Sequence, residues 1–269
     1  MLKPILPDNK DIFLFTGNYG SGKTEVSVNV VHALARAASR KVSIADLDLV
    51  NPYFRCREAR EPMEKLGATV IAPKADMHNA DLPILMPEVR GAINRPDGIT
   101  ILDVGGDNVG ATVLASMNDT LMSKDHEMYF VLNKNRPFTD TVDGAMQLMD
   151  EIESASRLKV TGIVGNTHMM EDTDLEMAKV GAEFCHKVAE KRGVESAFVT
   201  APFEKLVEAG FLESKDVEIE GLIEVEDIPG LVLPLKRIML PPWLGGPAPG
   251  SMATHARDGF ARITGDKFS

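Results

Sequence analysis

The chain has 269 residues, 44% of them hydrophobic, and a formal net charge of −11 at pH 7. Its acidic residues are spread along the chain and no basic stripe accompanies them, which argues against nucleic acid as a partner. The N-terminus lacks the apolar stretch of a secretory signal, and no run of about 18 apolar residues occurs, so we expect a cytoplasmic protein with no membrane partner.

Short apolar runs alternate with segments of helical composition along the chain. The runs predict strands at 12–16, 42–45, 69–72, 99–103, 128–132, 160–164, 197–199 and 231–233, and the segments between them predict helices at 25–40, 83–93, 141–157 and 175–192. This alternation is typical of an α/β protein, a three-layer α/β/α sandwich around a mainly parallel sheet of about 7–8 strands. Ligands of such sheets bind outside the carboxyl ends of the strands.

Two segments interrupt the alternation. The strongly acidic stretch 213–227 is expected to be a solvated surface excursion. From residue 240 onward the sequence is too rich in proline and glycine for regular structure, which predicts an extended arm or a tail. We therefore expect one domain over 1–239 and a C-terminal arm or tail over 240–269.

The stretch from Gly17 to Thr24 fits the pattern G-x-x-x-x-G-K-[ST] at every fixed position, between a predicted strand and a predicted helix. Its glycines let backbone N–H groups surround an anion, Lys23 reaches the outer phosphates, and the Thr24 hydroxyl can ligate Mg²⁺. The predicted nucleotide site includes Gly17, Asn18, Tyr19, Gly20, Ser21, Gly22, Lys23, Thr24 and Glu25. Lys23 is also expected to act in catalysis.

Aspartates follow two other predicted strands. Asp46 and Asp48 alternate at the end of one strand, and both would point toward the phosphate cleft if the strand continued through them. Asp103 ends another apolar strand and precedes two glycines. An aspartate in this position typically serves the water shell of a metal, and glycines after it can change conformation when a terminal phosphate is present.

The chain resembles the MinD/ParA/CobQ-like (SIMIBI class) branch of P-loop NTPases in three segments, GNYGSGKT, ADLDLVNP and ILDVGGD. These segments are similar to the phosphate loop, the first switch, and the Walker B strand with the second switch of that branch. The resemblance extends more weakly to 162–166 and 201–203. It implies that Asp48 orients or activates the attacking water. It also implies that Asp46 and Asp103 serve the magnesium shell, and that Asn166, Pro202 and Phe203 line the base.

The sequence departs from that branch at specific positions. Asn18 stands where many members carry a second lysine that reaches the nucleotide of the other subunit, so a homodimer is implied by default but trans-activation by a loop lysine is not. The CxxC that bridges a cluster in some members is absent. In the stretch NKNR, Arg136 replaces the carboxylate that would accept the N–H donors of guanine, and we therefore expect ATP rather than GTP.

Three functions agree with these motifs. The favoured one is a Mg²⁺-dependent ATPase that works as a nucleotide-driven switch on a partner protein such as a metalloenzyme or redox enzyme, slowly without that partner. The alternative is an ATP-dependent synthetase or phosphotransferase of the CobQ/dethiobiotin synthetase type, acting on a small carboxylate. A third is a module that keeps nucleotide as a structural ligand, which Lys23, Thr24, Asp48 and Asp103 argue against.

Several side chains near these motifs have two interpretations. Arg55 and Arg57 either bring guanidinium groups to a phosphate or a partner, or belong to a surface loop. Cys56 between them is either an ordinary buried thiol or one with a lowered pKa. Arg136 is either a solvated loop residue or a contact to phosphate or partner, and His168 either lines the nucleotide site or caps a loop.

Overall fold

The computed structural model describes residues 2–37, 40–48, 56–72, 82–106 and 108–239. The predicted C-terminal arm at 240–269 and the 49–55 part of the first aspartate segment lie outside the described residues, and so does Asp107. Side chains at 82–85 and at 108–109 are likewise outside the description.

One twisted sheet forms the centre of the described structure. Its strands are β1 (Ile12–Gly17), β2 (Lys41–Leu47), β3 (Thr69–Ile71), β4 (Gly98–Val104), β5 (His126–Leu132), β6 (Gly162–Gly165), β7 (Glu195–Pro202), β8 (Ile223–Val225) and β9 (Ile228–Leu235). Their spatial order is β3-β2-β4-β1-β5-β6-β7-β9-β8, and every neighbouring pair is parallel except β8 with β9. The predicted mainly parallel α/β sheet is confirmed.

Helices connect the parallel strands. They are α1 (Lys23–Ala37), α2 (Arg60–Lys65), α3 (Leu82–Ile93), α4 (Asn108–Ser116), α5 (Asn118–Met122), α6 (Val142–Ser156), α7 (Leu175–Arg192) and α8 (Phe203–Glu208), with short 3₁₀ helices at Cys56–Ala59 and Met170–Asp172. The side chain of Asp174 caps α7 by accepting a hydrogen bond from the Met177 N–H at 2.8 Å, and Gly193 ends that helix with φ of 75°. These local signals explain why the predicted bounds of α7 agree with the observed ones.

The core lies on both faces of the sheet. In β1, Ile12 and Leu14 belong to one buried cluster, whereas Phe13 and Phe15 belong to the other. Successive side chains of a strand point to opposite faces, so a strand that is apolar throughout must be covered on both sides. The apolar runs therefore predicted strands correctly and indicated a three-layer arrangement.

The acidic segment 213–227 is only partly a surface excursion. Its residues Ile223–Val225 form β8, which pairs antiparallel with β9 at the edge of the sheet, with a register of Ile223 opposite Val232. Three residues are too few for alternation to predict a strand, and this one is specified by its hairpin pairing with β9, which begins at Ile228. Within the described ranges, no helix is long and apolar enough to cross a membrane.

Candidate nucleotide-binding site

The phosphate loop joins β1 to α1 through a turn that only glycine permits at one of its positions. Gly22 has φ of 83°, and a Cβ atom there would lie 2.2 Å from Asn166 Nδ2. The Gly22 carbonyl accepts the first helical hydrogen bond, from Val26 N–H at 3.0 Å. The loop therefore ends at the N-terminus of α1, where free N–H groups and the helix dipole favour an anion.

Side chains from two neighbouring strand ends brace the outside of this loop. Asn166, just after β6, donates from Nδ2 to the Ser21 carbonyl at 2.7 Å and accepts from Thr200 Oγ1 at 2.6 Å. Arg136, in the loop after β5, donates from Nε to the Gly20 carbonyl at 2.8 Å. Each of these bonds occupies a loop carbonyl and not a loop N–H group, although the Ser21 N–H is used within the loop, where it donates to the Asn18 carbonyl at 3.1 Å. Arg136 is therefore bound to the loop backbone rather than solvated, and a contact to a phosphate or a partner stays a prediction.

Asn18 takes part in the same bracing. Its Nδ2 donates to the carbonyl of Pro137 at 2.6 Å. The position that holds a second lysine in many members of the resembled branch is therefore used here to tie the phosphate loop to the loop after β5. Tyr19, next in the chain, is 73% exposed.

Asp46 and Asp103, the two aspartates predicted to serve the magnesium shell, lie close together because their strands are neighbours. Asp46 in β2 and Asp103 in β4 are partners in the parallel register, and both are fully buried. Strand β2 ends at Leu47, and the Asp48 N–H donates to Asp46 Oδ1 at 3.3 Å, so Asp48 follows the strand as a turn residue. The carboxylates that the sequence placed in different segments thus lie in one cluster with Lys23 and Thr24 beside Asp103.

The surroundings of this cluster shift the protonation of Asp103. Burial, together with the nearby Asp46 carboxylate, raises the pKa of Asp103 from 3.8 to about 8, although Lys23 and a hydrogen bond from Thr24 oppose the shift. Ser27 Oγ donates to Asp103 Oδ1 at 3.5 Å, whereas Oδ2 has no partner. A divalent cation at this position would favour the ionised carboxylate.

Among the described residues, Arg57 forms an ion pair with the aspartate cluster. Its Nε donates to Asp46 Oδ2 at 2.7 Å, from the 3₁₀ helix that follows the first aspartate segment. Cys56, beside it, is fully buried, and burial together with the Asp46 carboxylate raises the pKa of its thiol well above 9.0. The idea of an activated, low-pKa Cys56 is therefore wrong, because desolvation outweighs the neighbouring arginines.

Unpaired polar atoms concentrate at this site. Among the described residues, five buried side-chain nitrogen or oxygen atoms have no hydrogen-bond partner: Ser21 Oγ, His32 Nε2, Arg57 Nη2, Asp103 Oδ2 and His168 Nε2. All except His32 belong to the phosphate loop, to the aspartate cluster, or to the loop against Gly22, whose Cβ position lies 3.1 Å from His168 Nε2. Buried polar groups are normally satisfied, so these atoms are available to a polar ligand or to water.

The segment after β4 lies directly against the phosphate loop. A Cβ atom on Gly106 would be 2.4 Å from the Gly17 carbonyl oxygen and 2.9 Å from Lys23 Nζ. A side chain cannot fit there, which explains the glycine in the predicted second switch. A terminal phosphate held by Lys23 would therefore lie beside this segment.

Some predicted site residues have side chains engaged elsewhere. The Glu25 carboxylate accepts hydrogen bonds from the N–H groups of Ile238 and Met239, and burial raises its pKa from 4.5 to about 7. The Phe203 ring is buried with Lys236 Nζ 4.2 Å above it, so in this conformation it cannot stack on a base. Pro202 precedes α8 as its N-cap residue at the end of β7.

Sequence reasoning underestimated Arg57, Arg136 and His168. Arg57 reaches the site from the 3₁₀ helix at Cys56–Ala59, whereas Arg136 contacts a residue 116 positions away. For Arg136 and His168 the signal that was present in the sequence is their position just after predicted strands, at the edge of the sheet where ligands bind.

Comparisons with known proteins agree with this architecture. No family model matches the sequence, and no curated protein matches it. The cell division protein FtsY from Thermotoga maritima is 19% identical with a TM-score of 0.51, covering 74% of this chain and 65% of that one. The signal recognition particle receptor FtsY from Elizabethkingia anophelis, in complex with GDP, is 15% identical with a TM-score of 0.50, covering 73% and 58%.

A nucleotide-binding protein from Archaeoglobus fulgidus in complex with ADP is 16% identical with a TM-score of 0.42, covering 80% of this chain and 92% of that one. The present chain spans 65% and 58% of the two FtsY chains. At these identities the likeness concerns the fold, which is that of the P-loop NTPases.

Proposed function

We propose that this chain, which has the fold of SIMIBI-class P-loop NTPases, binds ATP with Mg²⁺ and hydrolyses it as a nucleotide-driven switch on a partner protein. The observation that carries the proposal is the group of unpaired polar atoms, Ser21 Oγ, Asp103 Oδ2, Arg57 Nη2 and His168 Nε2, around a complete phosphate loop. The anionic oxygens of a ligand would accept hydrogen bonds from the unpaired donors. Water or a metal ion bound to that ligand would satisfy the unpaired acceptors.

The residues fit a magnesium–nucleotide complex. The loop N–H groups and Lys23 would hold the phosphates, and Thr24, Asp46 and Asp103 would hold the ion or its water shell. Mg²⁺ usually takes one or two carboxylates and completes its shell with water and substrate phosphates. When bound, the ion neutralises charge on the transferred phosphoryl group.

Hydrolysis would proceed by in-line attack of water on the terminal phosphorus. The new oxygen–phosphorus bond forms as the bond to the ADP oxygen breaks, and the proton of the water leaves with the phosphate product or to solvent. Asp48, adjacent to Asp46 in the cluster, would orient that water. Lys23 would stabilise charge on the phosphates, so catalysis would consist mainly of positioning and electrostatics.

We expect the nucleotide to be ATP rather than GTP. The Asn166 amide is bound by the Ser21 carbonyl and by Thr200, so its place beside the base stays a prediction. Guanine recognition needs a carboxylate that accepts paired N–H groups, but the residue three positions after Asn166 is Met169, and the one three positions after Asn133 is Arg136. We therefore expect Mg·ATP to displace a bound fluorescent nucleotide at a lower concentration than Mg·GTP does.

The switch role rests on the segment after β4 and on the exposed rim of the site. Gly106 lies against Lys23, where a terminal phosphate would change its position. Tyr19, Phe138, Met169 and Met170 expose apolar surface in the loops beside the site. Exposed apolar groups at a nucleotide edge suit a protein partner, such as a metalloenzyme or redox enzyme, or a second copy of the chain.

The first experiment is phosphate release from Mg·ATP by the whole chain, with Lys23→Ala as the control and light scattering to follow dimer content. We expect slow release that depends on Lys23. ATP binding with no release under any condition, including added partner extracts, would instead favour the synthetase alternative.

A second variant separates binding from hydrolysis. We expect Asp48→Asn to bind Mg·ATP within about threefold of wild type and to lose at least about 10²-fold in turnover, because the group that positions water acts mainly in the transition state. Equilibrium binding and single-turnover hydrolysis measure the two effects. Normal hydrolysis by this variant would rule out the role given to Asp48.

A further inference from the structure

The guanidinium of Arg57 is only partly used by the fold. Its Nε pairs with Asp46 Oδ2 at 2.7 Å, but its Nη2 is buried and has no acceptor among the described residues. Leaving a buried charged donor unpaired costs more than a single hydrogen bond contributes, so the fold would not be expected to tolerate it without a ligand.

An unpaired acceptor lies in the same cluster. Asp103 Oδ2 has no donor, and Asp103 is the register partner of the aspartate that Arg57 binds. A single ligand that satisfied both atoms would present an acceptor oxygen to the arginine and water or a cation to the carboxylate. A hydrated metal–phosphate group satisfies both.

We propose that Arg57 is a further catalytic residue: while Nε holds Asp46, Nη2 binds the terminal phosphate group of the nucleoside triphosphate. The inference rests on the proposed function and adds a residue to it. Arginine suits this task because its planar group offers several N–H donors in fixed directions and stays charged, so it can join a carboxylate and a phosphate at once.

An alternative role for Arg57 is purely structural, as a counter-ion that keeps two buried carboxylates together. The two roles differ in which nucleotide they affect. A counter-ion influences ADP and ATP binding to the same extent, whereas a contact to the terminal phosphate influences only the triphosphate.

The test measures the triphosphate preference, defined as the dissociation constant of Mg·ADP divided by that of the magnesium complex of β,γ-imido-ATP. Arg57→Lys keeps a positive charge near Asp46 but lacks the second donor direction. We expect it to lower the preference about tenfold while the ADP constant stays within about threefold of wild type. Its melting temperature should remain near that of the wild type.

Arg60 provides the matched control. It lies three residues further on, and its Nη1 bonds to Glu64 and to the Val70 carbonyl rather than to the aspartate cluster. Arg60→Lys should leave the preference unchanged. If Arg57→Lys does not fold, Arg57→Gln, which retains a neutral donor for Asp46, takes its place with the same expectation.

The outcomes separate the two proposals. If the wild type binds neither nucleotide, the proposed function fails and this inference fails with it. If the wild type binds both and Arg57→Lys retains the wild-type preference, or if Arg60→Lys loses it equally, only the role of Arg57 is overturned. Loss of preference confined to the Arg57 variants supports the inference.

Discussion

Gly106 occupies a position in the site where a Cβ atom does not fit. Replacement by alanine would put a Cβ atom 2.4 Å from the backbone oxygen of Gly17 and 2.9 Å from Lys23 Nζ. Because the closer atom is backbone, the clash cannot be relieved by a rotamer change. We expect Gly106→Ala to destabilise the protein by about 1–3 kcal/mol and to reduce ATP hydrolysis, as measured by thermal unfolding and phosphate release.

Gly91, in α3, is the matched control. A Cβ atom at that position meets nothing within 4 Å. Gly91→Ala should leave hydrolysis unchanged and stabilise the protein by about 0.5–1 kcal/mol, since alanine is the better helix former. Equal effects of the two substitutions would contradict the close packing at Gly106.

The two cysteines should be inert in the folded protein. Both are buried, and burial raises the pKa of Cys185 from 9.0 to about 11 and that of Cys56 well above its ordinary value. A thiol reacts as the thiolate, so a colourimetric thiol reagent at pH 8 should titrate neither cysteine in the native state and both in denaturant. Rapid reaction of one native thiol would show that its surroundings open readily.

At the scale of elements, Glu153 links two helices to the strand between them. Its carboxylate lies in α6, pairs with Lys159 and with Arg192 of α7, and accepts a hydrogen bond from Val160 N–H just before β6. These contacts lower the pKa of Glu153 against the effect of its burial. We expect Glu153→Gln to cost about 1–3 kcal/mol of unfolding free energy at neutral pH.

The pH dependence of that cost has a definite sign. A carboxylate with a lowered native pKa stabilises the fold above its unfolded pKa, and that stabilisation is lost as the pH falls. The difference between wild type and Glu153→Gln in chemical denaturation should therefore shrink as the pH drops below 4.5, the ordinary glutamate value. Glu151→Gln, an exposed control on the same helix, should show little effect at any pH. A constant difference across pH would contradict the ionic origin of the cost.

At the scale of the whole molecule, the last strand of the described residues, β9, ends at Leu235, and Met239 still packs in a core cluster. We propose accordingly that 1–239 forms the NTPase domain and that 240–269 is an appended arm. A variant ending at Met239 should unfold in one cooperative transition, within a few degrees of the full chain. A large loss of stability would mean that the last 30 residues contribute to the core.

Much of this arrangement was predictable from sequence because it depends on local patterns. Apolar runs such as that of β1 are buried on both faces, which identifies the strand whatever its neighbours are. The glycines before Lys23 and the caps of α7 act within a few residues. Parallel strands end at one edge of the sheet, which places Asp46 and Asp103 at that edge. That the two serve one site was implied by the resemblance, whereas their pairing in register depends on β2 and β4 being neighbours in the sheet.

Other features were decided by tertiary structure, because they depend on contacts between distant residues. The bonds of Arg136 and Asn166 to the phosphate loop span 116 and 145 positions. The burial that raises the pKa of Cys56, and leaves Arg57 with an unpaired donor, arises only when the layers pack. The sequence alone thus determined the chemistry available at the phosphate loop. The packing of distant segments decided which side chains surround that loop, because desolvation and the choice of hydrogen-bond partners are properties of the folded chain.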